Sequence, residues 1–82
     1  MWFLYIVETE LGRFYTGVAK DVNQRFRQHS GEIKGGAKFF RSDKASLLLY
    51  VKKCKNRSEA QKLESRIKSL SRKEKEELVY SF

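Results

Sequence analysis

Residues Trp2 to Val7 form an unbroken apolar run rich in aromatic and β-branched side chains. A run this short cannot cross a bilayer, and it carries neither a basic leader nor a small-residue cleavage site, so it is read neither as a membrane span nor as a signal peptide. It predicts a strand. The polar stretch Glu8 to Gly12 contains a glycine suited to a turn, and Arg13 to Val18 is expected to return antiparallel. The chain therefore opens on a hairpin, and the remaining elements have to pack on it.

Asp21 is placed to cap the next helix, with Gln24 at its third position. Val22, Phe26 and His29 then recur at helical spacing on one face, and the helix is expected to end near Ser30. Gly31, Gly35 and Gly36 interrupt the pattern among basic and aromatic residues, which predicts a mobile loop. Leu47 to Val51 is a second continuous apolar run, inside Ala45 to Cys54, and predicts the middle strand of a three-stranded sheet, covered on both faces. Ser58 with Gln61 predicts a capped helix to about Ser69, its stripe formed by Ala60, Leu63, Ile67 and Leu70. Ser71 with Glu74 repeats the capping signature and predicts a short last helix that returns Leu78 and Val79 to the core. The expected order is β-β-α-β-α-α, an α+β fold with helices on a small antiparallel sheet.

Eighty-two residues suit one domain, since two cores would each be too small to bury enough apolar surface. The single cysteine, Cys54, excludes an intrachain disulfide and a multi-cysteine zinc site, and is read as a packing residue. Nothing calls for an oxidising compartment, so a cytoplasmic location is expected. Eighteen Lys and Arg against ten Asp and Glu leave a net charge of +8, which favours a polyanionic partner.

Several residues could carry chemistry on such a partner. Tyr5 and Tyr15 lie on paired strands, where alternation can bring both phenols to one face. Arg25 and His29 stand four apart on the following helix. Glu64 follows the apolar stripe of the later helix. Phosphodiester hydrolysis needs water to be activated, charge on the phosphate to be neutralised and a metal ion to be held, and these side chains suit those tasks. Each also has a structural reading: strand aromatics, a solvated histidine, ordinary helix-surface charges.

The pieces Phe3-Leu4-Tyr5-Ile6-Val7, Tyr15-Thr16-Gly17, Asp21 to His29, Gly36-Ala37-Lys38 with Arg41, and Ser58 through Glu64 to Lys68, in this order and spacing, resemble the GIY-YIG nuclease superfamily, especially its small stand-alone bacterial members. The resemblance implies that Tyr15 contacts or activates the attacking water and that Tyr5 helps orient water or phosphate. It implies that Arg25 stabilises charge on the phosphate oxygens, that His29 relays a proton or binds phosphate, and that Glu64 ligates one Mg²⁺ or Mn²⁺. Gly17 would let the chain leave the strand without a side chain in the pocket. Phe3 stands where the first half-motif usually has glycine, and Gln24 where many relatives have a second arginine. These departures bear on substrate affinity rather than on the core chemistry.

The implied activity is metal-dependent hydrolysis of DNA with low sequence specificity, or with specificity supplied by a protein partner, in repair or recombination. A binding module that keeps the fold without cleaving, on DNA or RNA, stands as the alternative. Lys34, Lys38, Arg41 and Lys44, with Phe39 and Phe40 among them, suit a nucleic-acid surface. The same two phenylalanines could instead anchor the loop to the core, and the sequence leaves both readings open. No membrane partner is expected.

Overall fold

The structure, a computed structural model, describes residues 1–81. Strands β1 (Trp2–Thr9), β2 (Phe14–Ala19) and β3 (Ala45–Cys54) form one antiparallel sheet in the order β2-β1-β3. Helix α1 (Val22–His29) comes after β2, a short 3-10 turn (Lys38–Arg41) precedes β3, and α2 (Arg57–Lys68) and α3 (Arg72–Tyr80) close the chain. The order is the predicted β-β-α-β-α-α.

The central strand is β1, not β3. Both edges of β1 are paired, and its Leu4, Tyr5, Ile6 and Val7 are all buried. Leu4 and Ile6 join Ala60 and Ile67 of α2, with Leu63, Leu70, Leu78 and Val79 packed around them. Tyr5 and Val7 point the other way, into a cluster with Phe40 and Ala45 that is closed by Val22 and Phe26 of α1. By contrast β3 is an edge strand, and Leu47, Leu48 and Val51 remain exposed. Its apolar run misleads because the strand is bulged: Ile6 pairs with Tyr50 and Val7 with Leu48, so Leu49 is an extra residue that breaks the alternation a half-covered strand would show.

The caps explain the helix boundaries. Asp21 accepts the Gln24 amide at 3.0 Å, as expected, and Ser71 with Glu74 forms a reciprocal capping box on α3. On α2 the cap is Asn56 rather than Ser58. Its Oδ1 accepts the Glu59 amide at 2.9 Å, while Glu59 Oε1 accepts the Lys55 amide at 3.2 Å. The helix thus starts at Arg57, one residue earlier than the Ser58 reading.

The glycine-containing segment after α1 is tied down. Its 3-10 turn buries Phe40, so this phenylalanine is a core anchor. Just beyond, fully buried Asp43 accepts the Leu11 amide at 3.0 Å and Arg13 Nε at 2.7 Å, fastening the β1–β2 turn to the segment that leads into β3. Burial alone would raise the Asp43 carboxyl. The hydrogen bonds from Thr9, Arg13 and Leu11 reverse that and hold it below the usual range. Among the described residues no helix is long and apolar enough to cross a membrane.

Candidate active site

Tyr5 and Gly17 are direct partners across β1 and β2. A Cβ on Gly17 would stand 2.5 Å from the Tyr5 hydroxyl oxygen, so the phenol lies over the glycine. Gly17 is therefore needed inside β2, where it makes room for Tyr5, and not as an exit from the strand.

The Tyr5 hydroxyl meets His29 Nε2 at 2.8 Å. His29 is fully buried at the end of α1, stacked on Phe40 with ring centroids 4.1 Å apart. Tyr15 stands beside both, 5.4 Å from His29 and 6.5 Å from Tyr5 between centroids, and packs on Phe40 at 4.7 Å. Arg13 reaches over the Phe39 ring at 4.4 Å, and Phe39 leans on Tyr15 at 5.3 Å, so the Asp43–Arg13 pair braces Tyr15 indirectly. With Nδ1 accepting the Ala37 amide over a long 3.4 Å, the neutral imidazole carries its hydrogen on Nε2 and donates it to the phenol oxygen.

The surroundings set the protonation states. Burial first, then the neighbouring Tyr15 phenol, pushes Tyr5 up to about 12; the Arg25 guanidinium opposes this and the Glu64 carboxylate adds to it. Burial, followed by the Arg25 charge, lowers His29 to about 4. At neutral pH the pair is thus a protonated phenol and an uncharged imidazole. Arg25 spends Nη1 on Gln28 Oε1 at 2.8 Å and on the Gly35 carbonyl at 2.7 Å, which holds the glycine segment against α1 and leaves Nη2 and Nε for other acceptors.

Glu64 lies on α2 with its side chain 22% exposed and Oε2 3.2 Å from Lys68 Nζ. Although α2 packs on the Leu4–Ile6 side of the sheet, the Glu64 charge reaches the Tyr5 phenol. Tyr5, Tyr15, Arg25 and His29 are thus brought together by three elements, whereas Glu64 stands on α2, which packs on the other face of the sheet, and is paired with Lys68. His29 is fully buried, and its side-chain partner at this site is the Tyr5 phenol. Lys34, Lys38, Arg41 and Lys44 are exposed along the segment between α1 and β3.

Sequence reasoning missed Gln28 and Asp43. Gln28 stands three residues after Arg25, a helical spacing that could have suggested the pair. Asp43, a lone acid in a basic segment, offered a weaker signal.

The family description "GIY-YIG catalytic domain" matches residues 1–77. A UPF0213 protein of Pectobacterium carotovorum is 44% identical over 78 residues, covering 95% of this chain and 77% of that protein. One from Desulfotalea psychrophila is 41% identical over 78 residues, covering 95% and 70%. The solution NMR structure of a UPF0213 protein from Bacillus halodurans superposes with a TM-score of 0.60 at 36% identity, covering 98% of this chain and 84% of that one. With its phenols, arginine and histidine gathered at one place on the fold and this match running over almost its whole length, the chain belongs to the GIY-YIG family, a nuclease superfamily.

Proposed function

We propose that this protein is a metal-dependent endonuclease that hydrolyses DNA phosphodiesters with low sequence specificity, in the cytoplasm and in the service of repair or recombination. The observation that carries the reading is the buried Tyr5–His29 hydrogen bond with Tyr15 packed beside it and Arg25, one helical turn before His29, held by Gln28 and Gly35. A purely structural tyrosine–histidine pair has no need of a guanidinium beside it.

In this reading Tyr15, half-buried, meets the attacking water, and Tyr5 orients water or phosphate. His29 acts through Tyr5. Its Nε2–H holds the phenol oxygen in place and leaves the phenol's own hydrogen to be donated to water or phosphate. Nη2 and Nε of Arg25, which neither Gln28 nor Gly35 engages, stabilise charge as it grows on the phosphate oxygens.

Glu64 is the residue that would hold the metal. A single partly exposed carboxylate suits Mg²⁺ or Mn²⁺, which keep most of their ligands as water and substrate oxygens. Among the described residues no three His, Cys, Asp or Glu side chains cluster for a closed cage. When bound, such an ion supplies charge neutralisation at the phosphate and polarises water. Specificity is low, or comes from a protein partner, because the exposed Lys34, Lys38, Arg41 and Lys44 suit phosphates rather than base edges.

The second reading, a DNA- or RNA-binding module that does not cleave, draws on one observation: Lys68 already neutralises Glu64. A cleavage assay with Mg²⁺ or Mn²⁺ on single-stranded, nicked, flap and four-way DNA and on structured RNA decides between them. Cleavage of any DNA is expected. Binding without cleavage of every substrate gives the second reading the lead.

A further inference from the structure

Beside His29, apart from its bond to Tyr5, the surface holds a depression of about 230 Å³ lined by Gln28, His29, Gly36, Phe40, Arg41 and Lys44. Its polar groups are unbalanced. Gln28 Oε1 is taken by Arg25, and the Gln28 carbonyl accepts the amides of Ser30 and Gly31, so both acceptors of Gln28 are occupied while its Nε2 is left as a donor. Arg41 and Lys44 take part in no ion pair among the described residues. The nearby acids do not cancel them, since Glu32 pairs with Arg27 at 3.2 Å and Asp43 with Arg13.

The depression is also shaped. A Cβ on Gly36 would run into the Gln28 carbonyl, so only glycine lets this segment close on the end of α1. Gly31, at φ +83°, lets the Lys44 stem lie against it, with Cε 3.2 Å from where a Cβ would be. Lys44 Nζ lies 3.5 Å from the same point. A compact anion with several acceptor oxygens is what donors in this arrangement recognise.

We infer that this depression binds a phosphate of the nucleic-acid substrate other than the one attacked, either a terminal phosphate or an internal one flanking the scissile bond. The inference rests on the proposed nucleic-acid substrate, but not on cleavage. His29 then stands between two phosphate positions, screened from one by the Tyr5 phenol and lining the other.

The test is amide NMR with three probes: inorganic phosphate, a 5′-phosphorylated single-stranded oligonucleotide and its 5′-hydroxyl counterpart. All three are expected to move the Gly36 and Ala37 amides if an internal phosphate occupies the site, and only the first two if it takes a terminal one. The shifts disappear in Arg41→Ala/Lys44→Ala, whose replaced side chains are exposed and leave the fold intact. Oligonucleotide binding weakens by up to roughly tenfold in the double variant, the scale of two exposed charge pairs. Because both cations would share one phosphate, either one left still neutralises it, so the salt dependence of single-strand binding falls by a slope of about 0.7 in the double variant and by little in either single one. Shifts spread over the lysines of α2 and α3 with none at Gly36 or Ala37, or a slope loss in the double variant that is twice that of each single one, overturns the inference. Shifts at Gly36 and Ala37 in a protein that cleaves nothing leave this site standing and remove the nuclease reading instead.

Discussion

The two faces of the sheet are lined by alternating residues of the same strand and built from different materials. Leu4 and Ile6 of β1 enter a hydrocarbon cluster with Ala60, Leu63 and Ile67, where burial is repaid by packing alone. Tyr5, their immediate neighbour, enters a cluster of rings whose polar tips must find one another, and the Tyr5–His29 bond satisfies both. No buried side-chain nitrogen or oxygen among the described residues lacks a partner. The first face tolerates hydrocarbon changes in proportion to volume. The second depends on particular atoms, and losing one strands another.

The largest expected effect lies outside both clusters. Glu64→Gln keeps size and removes charge, so Mg²⁺-dependent cleavage should fall by several kcal/mol of transition-state stabilisation while thermal stability and oligonucleotide affinity hardly change. Equal cleavage by wild type and variant would take the metal away from this residue.

On the hydrocarbon face, Ile6→Ala should cost about 2–5 kcal/mol in denaturant unfolding, with cleavage per folded molecule preserved. If the folded fraction lost activity as well, the two faces would not be separable.

The aromatic face should announce itself by pH. The His29 value of about 4 in the folded protein lies below the 6.5 of an unhindered histidine, so the unfolded chain takes up a proton first as pH falls. Stability contributed by the uncharged ring is complete above about pH 6.5 and is lost progressively down to about pH 4, amounting to roughly 3 kcal/mol. His29→Phe should flatten that part of the stability profile; an unchanged profile would show that another group is responsible.

Tyr5→Phe, the mildest change, keeps the ring and leaves His29 Nε2 alone. A cost of about 1–3 kcal/mol is expected, together with a further fall in the histidine's pKa that histidine ring NMR can track, since the buried imidazolium would lose the phenol oxygen that accepts from Nε2. A histidine that titrates as before would show that the bond is not what holds it.

Much of the fold was legible in the chain. The β1–β2 hairpin, the Asp21 cap, the Ser71–Glu74 box and the stripe from Ala60 to Leu70 all depend on residues close in sequence, which periodicity reports directly. The position of β3 was not legible, because a bulge at Leu49 and a covered strand both read as a continuous apolar run. Asn56 was overlooked as a cap because Ser58, two residues on, offers a similar signature. In the site, the candidates Tyr5, Tyr15, Arg25 and His29 could be named from motif spacing, but the burial of His29 could not. It depends on Phe40 folding back across the glycine segment to stack on the ring, a contact that no local pattern reports.

Gly17 carries a consequence for how such chains can change over generations. The volume it leaves empty is filled by the Tyr5 phenol, so positions 5 and 17 are effectively one site split between two strands. A methyl group gained at 17 displaces the hydroxyl, and with it the contact to His29. A smaller residue at 5 frees 17 to vary but leaves the histidine unaccompanied. Substitutions at these positions are therefore viable only as a concerted set that includes 29, and any lineage that abandons the tyrosine should be found relaxing the glycine at the same time.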